Sequence, residues 1–517
     1  MSNQQHDVVI IGAGLAGLSA AVFLALNDVR AVLIERHPST SILPKARGQN
    51  PVTMEMLRVA GITEAIRAAR PPGKPEITSL VSESLTGKVI YDHVAHRPDL
   101  SLLSPEVPGM ASQARAEEAL LKRAQQLGVD VRFNTQCKSV TEHEDKVVLQ
   151  VRNLDGDLDY TVEAKYLIAC DGIRGTTREQ IGISNHGVGH LKSVTAVRFN
   201  ADLSRWSGDN SMVIHYVQNS ELPDGSGILV STDYTNQWVA NFSSDADRNP
   251  DETRGLIYAL LGLTEKQLDI EVTGETTYNY SHLIADRLST KRTFLTGDAA
   301  HVMPPTGGQG GNTAVQDGFY LGWKLAYVLR GIAGPGLLET YDIERRPYVE
   351  IVCTWQAANL AERRDMKSLA EITGEPIDLV SMMFGYVCVD GAFVKSADQT
   401  TPSIDYPFED PEAPTAMPGA RIPYVQLTSN GEKFNTRHHL SQQFQVYTDD
   451  NILAQQLQAT GDALGIPQQT TLVESISPLK MQSGDAILLR PDGIVAWRGN
   501  SAENLKQAYQ KILARTF

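Results

Sequence analysis

Six residues near the N-terminus, Gly12-Ala13-Gly14-Leu15-Ala16-Gly17, have the spacing of a loop that cradles a phosphate. Gly12 permits the tight turn, Gly14 lets backbone approach a pyrophosphate, and Gly17 lets a helix pack closely on a strand. Leu15 and Ala16 open that helix, whose free N–H groups and partial positive charge favour an anion. Glu35 lies 23 positions after Gly12, where a carboxylate accepts ribose hydroxyls, and Arg36 follows it. This pattern predicts a dinucleotide site without deciding between NAD and FAD; a Gly-rich turn with a surface Glu is the bland alternative. A second constellation lies far downstream. Thr293 to Asp298 is an apolar strand ending in Gly-Asp, followed by Pro304-Pro305, the run Gly307-Gly308-Gln309-Gly310-Gly311-Asn312 and a helix. Asp298 suits ribityl or ribose hydroxyls. Bare N–H groups at the second helix N-terminus would stabilise an electron-rich ring edge on reduction.

The elements needed to hold these residues are legible. Asp7–Ile11 and Ala31–Glu35 are short apolar runs of the kind found in parallel strands buried on both faces. Leu15–Leu26 between them is rich in Ala and Leu, which favours helix. Helices are predicted over 52–70, 114–127, 314–330, 337–370 and 502–514, and short strands over 131–170. From 185 to 280, runs such as Met212–Val217, Gly227–Thr232 and Gln237–Phe242 alternate apolar and polar residues between turns, the sign of an antiparallel sheet. The stretch 401–419, TPSIDYPFEDPEAPTAMPG, reads as a linker.

Taken together, these motifs resemble the class A flavoprotein monooxygenases, the FAD-dependent aromatic hydroxylases. The similarity is to the branch of phenol hydroxylases and aromatic polyketide hydroxylases. The segment GDAAHVMPPTGGQGGNTAVQDGFYLGWKL carries it, being similar to that family's GDAAHxxPPxGGQGxNxxxQDxxNLxWKL. The resemblance implies an α/β protein: a Rossmann-like FAD-binding domain (1–182 and 281–370), an antiparallel-sheet substrate domain (183–280 with part of 74–108), a helical and linker segment (371–417) and a C-terminal thioredoxin-like α/β domain (418–517). It implies FAD contacts from Gly12, Gly14, Leu15, Ala16, Gly17, Glu35, Arg36 and Asp298, and from Pro305, Gly308, Gly310, Gly311 and Asn312. Arg47, in PKARGQNPVTMEMLR, matches the family's cofactor-contacting arginine, and Gln113, in SQARAEEALLKRA, its phosphate–ribose glutamine. Asp171 of Cys170-Asp171-Gly172 matches an Asp-Gly motif shared between FAD and a transient NAD(P)H site. There the family continues with ARS and this chain with Ile173-Arg174-Gly175; Arg174 and Arg178 remain candidates for a pyrophosphate. Val140 is a candidate for the adenine through its backbone.

The implied reaction uses non-covalent FAD, NADPH or NADH, and O2, with hydroxylation of a phenolic or polycyclic aromatic through a C4a-hydroperoxyflavin. The flavin carries that chemistry, so no catalytic side chain is named. Tyr216 and Trp238 on the middle sheet are candidates to stack on the substrate, core packing being the alternative for each. Asp233, His215 and Asp286 have no supporting pattern as a proton relay, and His301 reads as structural. A Baeyer–Villiger or decarboxylating flavin enzyme is one rival reading, and a non-catalytic protein that keeps FAD for folding is another. A flavin halogenase is disfavoured, because the five tryptophans are never two positions apart.

Composition agrees. The 517 residues, 42% hydrophobic and 21% charged, describe a globular chain, and Lys+Arg 46 against Asp+Glu 61 leaves −15. That charge disfavours nucleic acid and anionic membrane surfaces as partners. Four cysteines with no CxxC fit a reducing cytoplasm, and none follows Cys388, so thiol redox by the C-terminal domain is excluded. The histidines show no metal spacing. No basic leader precedes Asp7, and no apolar run reaches the roughly 18 residues of a membrane span. The expectation is a cytoplasmic enzyme of secondary metabolism, monomer or homodimer.

Overall fold

The computed structural model describes residues 5–516 apart from 42–46, 72, 96–97, 245–247, 365–368, 370, 372–376, 397–401, 439 and 441. Part of the Pro44–Arg58 segment and of the 371–417 linker therefore lies outside the described residues.

Four strands of the N-terminal sheet run parallel around Gln5–Ile11, in the order Asp130–Arg132, Ala31–Ile34, Gln5–Ile11, Leu158–Ala169. Val147–Asn153 and Thr135–Glu142 extend it as an antiparallel meander. Thr293–Leu295 pairs with Leu158–Ala169, also in parallel. The register decides where the chemistry lies. Ile11 sits beside Ile34 and Ala169, and Ala169 beside Leu295. The residues that leave these strands are Gly12, Glu35, Cys170-Asp171 and Thr296-Gly297-Asp298. All four motifs thus emerge at the carboxyl ends of parallel strands, the edge at which open α/β sheets bind ligands.

Helix Leu15–Ala25 has only a weakly amphipathic sequence because it is covered on all sides; ten of its residues are buried. Helix Gly310–Leu329 packs along it. That helix begins four residues before the predicted Ala314, because the glycine run itself forms its first turn. The helix predicted over 52–70 is instead two, Pro51–Val59 and Thr63–Ala68, broken at Gly61, whose φ is 74°.

The middle sheet has eight strands, from His301–Val302 through Glu271–Ala285, Asn185–Asn200, Gln237–Ser243, Ser226–Ser231 and Asn210–Gln218 to Lys74–Ser82 and Val89–Asp92. It is antiparallel except where Asn210–Gln218 pairs in parallel with Lys74–Ser82, a strand drawn from far earlier in the chain. One face packs on helix Pro250–Leu261 through Phe199, Val213, Val217, Leu229, Trp238, Ala240 and Phe242. Side chains alternate between faces, so Met212, Ile214, Tyr216, Val239 and Asn241 point the other way.

The C-terminal sheet has the order Gln468–Leu472, Phe444–Thr448, Ala486–Leu489, Val495–Gly499, with the first pair parallel and the others antiparallel. Helices Asn451–Leu464 and Ala502–Ile512 complete a thioredoxin-like α/β unit. Buried charge joins it to the N-terminal helices. Arg490, fully buried, pairs with Glu344 of helix Gly336–Arg364 and with Asp492, both at 2.6 Å. Trp323 of helix Gly310–Leu329 donates its indole N–H to Asp492 at 2.8 Å, and Arg421 pairs with the buried Glu55. Among the described residues no helix is long and apolar enough to cross a membrane.

Candidate functional site: two glycine loops at one sheet edge

Gly12 has φ 102°, and a Cβ there would lie 2.3 Å from the Cys170 carbonyl oxygen. A Cβ on Gly17 would lie 1.9 Å from the Gly12 carbonyl oxygen. Both positions are therefore closed to any side chain. The helix that follows has Gly14 as its N-cap, no side-chain cap and no acid in its first turn. Its first N–H groups and its positive dipole end stay available to an anion.

Glu35 braces this loop. Its Oε2 accepts from the Ala13 N–H at 2.8 Å and its Oε1 from the His37 N–H at 2.9 Å. Oε1 also meets His37 Nδ1 at 2.6 Å, so the second lone pair of Oε2 is the one left for a ribose hydroxyl. Arg36 is exposed. Asp171 caps the turn after the next strand: Oδ2 accepts from the Thr177 N–H at 3.1 Å and hydroxyl at 2.7 Å, while Oδ1 is buried with no partner. An orphaned buried acceptor costs about 1–3 kcal/mol, and at this edge it fits a ligand hydroxyl. Arg178, by contrast, donates to the Ile183 carbonyl at 2.7 Å, and the Val140 N–H to Gln180 Oε1 at 2.7 Å. For Val140 this is a correction, because its backbone donor is already used and an adenine would meet only its carbonyl. Arg174 is exposed.

The second loop is held from below. Asp317 accepts from the Gly297 N–H at 3.0 Å and contacts His301 Nε2 at 2.7 Å and Arg345 Nη2 at 2.8 Å. Burial alone would raise the Asp317 pKa; His301 and Arg345 outweigh it and hold the carboxyl below its ordinary value. His301 is therefore structural, as its sequence context indicates. Asp317 and Arg345 carry no sequence signal beyond the QD of the motif. The turn Gly297–Ala299 leaves Asp298 exposed above the sheet edge, and a Cβ on Gly297 would lie 2.8 Å from the Ala16 Cβ. The two glycine loops are thus in contact. Downstream, the Gly308 N–H donates to the Pro305 carbonyl at 3.1 Å, with Pro305 itself exposed.

The Asn312 side chain is engaged within the protein. Its Oδ1 accepts from the Asn50 N–H at 2.9 Å and its Nδ2 donates to the Gly308 carbonyl at 2.9 Å. It ties the segment around Gly48 to the glycine run, and its amide is spent on protein. Leu15, Gly48, Gln113, Gly311 and Asn312 then line one small cavity. Gln113 donates to Glu117 Oε1 at 2.7 Å. Glu117, buried beneath Gly14, also accepts from the Ser41 N–H at 3.0 Å. Nothing in its sequence surroundings marks it out, since its burial comes from the packing of three distant segments.

On the substrate side, Tyr216 lies on the sheet face away from helix Pro250–Leu261, with its ring 5.8 Å from the His93 ring. Trp238 does not share that face. It is 6% exposed in the core against the helix, and its indole N–H donates to the Ala201 carbonyl at 3.1 Å. The pleat places it opposite Tyr216, so its reading as a substrate contact is withdrawn. The three relay candidates are apart: His215 contacts Ser82 at 3.0 Å, Asp286 contacts His186 at 2.7 Å, and Asp233 faces Arg47 at 3.2 Å. Burial pushes the His215 pKa down to about 4. Among the described residues no cluster of His, Cys, Asp and Glu is arranged to hold a metal.

Residues 5–356 match the FAD binding domain family, and residues 415–517 match the aromatic-ring hydroxylase C-terminal family. The chain belongs to the FAD-dependent aromatic-ring hydroxylases. As such it is a flavoprotein monooxygenase. The hydroxylase is 32% identical over 550 aligned positions to aklavinone 12-hydroxylase RdmE of Streptomyces purpurascens, covering 100% of both chains. It is 31% identical to tetracenomycin B2 monooxygenase-dioxygenase of Streptomyces olivaceus, covering 100% of this chain and 99% of that one. A solved ternary complex of aklavinone-11 hydroxylase with FAD and aklavinone superposes with TM-score 0.91 at 31% identity, covering 100% of both chains.

Asp298→Ala is expected to weaken FAD binding by about 1.5–3 kcal/mol, the value of a hydrogen bond to a charged group, while the fold is retained. Titration of apoprotein with FAD, followed by flavin fluorescence, measures it. Unchanged affinity would show that Asp298 does not meet the cofactor.

Proposed function

We propose that this hydroxylase inserts one oxygen atom from O2 into a polycyclic or phenolic aromatic substrate, with NADPH or NADH as electron donor. The observation that carries the reading is the meeting of both glycine loops at one sheet edge, in a chain matched from end to end by aromatic polyketide hydroxylases. In this reading the Gly12–Gly17 loop and the helix start at Leu15 and Ala16 bind the pyrophosphate, supported by their closed glycines and uncapped N–H groups. Glu35, with Arg36 at the rim, and Asp171 with its orphaned oxygen meet ribose and diphosphate groups. Asp298 meets the ribityl chain. The N–H groups of Gly310 and Gly311 serve the ring system, while Gly308, its N–H held by the Pro305 carbonyl, closes the turn and Asn312 holds the loop. Gln113 lines the cavity, and Arg47 precedes its lining residues Gly48 and Gln49.

When bound, FAD supplies the electron transfer and oxygen activation. The chain orients the aromatic, keeps water from it and places positive backbone dipoles at the ring edge. In this reading Tyr216, on the sheet face away from helix Pro250–Leu261, contacts the aromatic. Residues 1–182 and 281–370 serve as the cofactor domain, 183–280 with part of 74–108 as the substrate domain, and 418–517 as a packing domain. The cytoplasm is the proposed location and monomer or homodimer the proposed state.

The deciding experiment is a panel of phenols and polycyclic quinones. Substrate-stimulated NAD(P)H oxidation with a product heavier by one oxygen supports hydroxylation. A ring-expanded or decarboxylated product would replace it with the rival flavin chemistry, and no stimulation by any aromatic would favour the non-catalytic reading.

Tyr216→Ala is expected to change the ratio of kcat/KM between two aromatic substrates by roughly tenfold, the order of a lost aromatic contact, with FAD content unchanged. Equal loss of flavin and turnover would return Tyr216 to a packing role. Substrate is further expected to accelerate anaerobic reduction of the bound flavin by NAD(P)H, and Arg47→Ala to blunt that acceleration more than it lowers FAD affinity. Stopped-flow absorbance decides it; wild type without any substrate effect would refute a role for Arg47 in coupling substrate binding to flavin reduction.

A further inference from the structure

The Arg47 side chain is 5% exposed, and neither Nη1 nor Nη2 has a hydrogen-bond partner. Facing Nη2 at 3.2 Å is Asp233 Oδ1, from the turn that follows strand Ser226–Ser231. The distance is that of an ion pair, but the geometry makes no hydrogen bond, and Asp233 Oδ1 is itself without one. Asp233 Oδ2 accepts from the Ser112 hydroxyl and lies 3.4 Å from Arg115 Nε. Arg47 and Ser112 are register partners in the small sheet Arg47–Gln49 with Gly109–Ser112, and Ser112 caps the helix that begins with Gln113. One carboxylate from the substrate sheet therefore faces two guanidiniums and a helix cap on the cofactor side. Burial lowers the Arg47 pKa and Asp233 opposes that fall.

We propose that Asp233 is a positioning residue: it holds the guanidinium of Arg47, the residue before the cavity-lining Gly48, with its donors unspent, and leaves one net positive charge there where two would otherwise stand. This rests on reading the cavity as the flavin site. The unspent N–H groups then await an acceptor on the bound flavin, and the carboxylate moderates how strongly the site favours the negative charge that reduction brings. Electrostatic effects of this kind are long-ranged in a poorly solvated site, so Asp233 acts without touching the ring.

The test uses the FAD-loaded protein with Asp233→Asn, which keeps shape and loses charge, and Asp233→Glu, which keeps charge. The expected result is a midpoint potential shifted to more positive values in the Asn variant and returned most of the way in the Glu variant. Flavin content and melting temperature should stay at wild-type level. An unchanged potential in an Asn variant that retains its flavin overturns the proposal. So does equal loss of FAD affinity in both variants, read by fluorescence titration of apoprotein, because that marks a loop support indifferent to charge. A wild type that binds FAD but shows no aromatic-stimulated NAD(P)H oxidation would reject the hydroxylase reading and leave the potential measurement valid.

Discussion

Gly17→Ala is expected to yield a protein that no longer holds FAD. The added Cβ would lie 1.9 Å from the Gly12 carbonyl oxygen and 3.4 Å from Ile10 Cγ2. The first contact is with backbone, which has no rotamer to yield. Either the helix lifts from the strand or the loop opens, and both move the N–H groups of Leu15 and Ala16 away from the phosphates. Overpacking of this kind costs about 3 kcal/mol or more, which is over roughly a hundredfold in affinity. Absorbance of the purified protein near the flavin band, with FAD titration of apoprotein, measures the effect. A variant as yellow as wild type would show that the loop does not set the cofactor's position. The Gly14 position offers a contrast. An added Cβ there meets only Glu117 Oε1, at 3.8 Å, so any loss in Gly14→Ala comes from crowding the ligand and not from displacing the backbone.

The second large effect is expected from Arg490→Ala, which strips a fully buried cation from Glu344 and Asp492. Removing one partner of a buried pair costs about 3–5 kcal/mol, because the remaining charge stays desolvated. Here two carboxylates are left with Lys324, which lies 2.9 Å from Glu344, as the nearest cation. Denaturant unfolding at neutral pH should show the loss, and an unchanged midpoint would mean that the C-terminal unit is not coupled to the helices it covers. Burial alone would raise the Glu344 pKa, but Arg490 and Lys324 bring it down to about 2. A depressed carboxylate contributes stability that is complete above its unfolded pKa near 4.5 and is lost as pH falls toward 2. Wild type should therefore weaken through that acidic window more steeply than the variant, in which the Arg490 contribution is already gone. Because Trp323 and Lys324 lie on the glycine-run helix, the same substitution should also loosen the second cofactor loop.

Much of the cofactor side was legible from local pattern. A GxGxxG loop between two apolar runs with a terminal Glu has few folded solutions, since only glycine tolerates the Gly12 φ and the Gly17 contact. The motif from Gly297 to Leu325 likewise carries its own strand, turn and helix. These features are short in range, so residue types and spacing determine them.

Other features depended on what packs where. Trp238 and Tyr216 look alike as aromatics on alternating strands, and only the pleat and the position of helix Pro250–Leu261 send one to the core against that helix and the other to the opposite face. Asn312 sits in the most recognisable motif of the chain, but its amide is claimed by Asn50 and Gly308, some 262 and 4 residues away in sequence. Asp317, Glu117 and Asp233 are unremarkable in composition and gain their roles from partners brought by distant segments. The sequence by itself determined the parallel strand–loop–helix units, the glycines at their turns and the lack of a thiol pair in the C-terminal unit, because those follow from covalent geometry and local backbone preference. Tertiary structure alone decided which carboxylates are buried beside which arginines, and which side chains of the middle sheet enter the core against helix Pro250–Leu261. Burial and charge pairing are properties of surfaces brought together by folding, and no spacing along the chain encodes them.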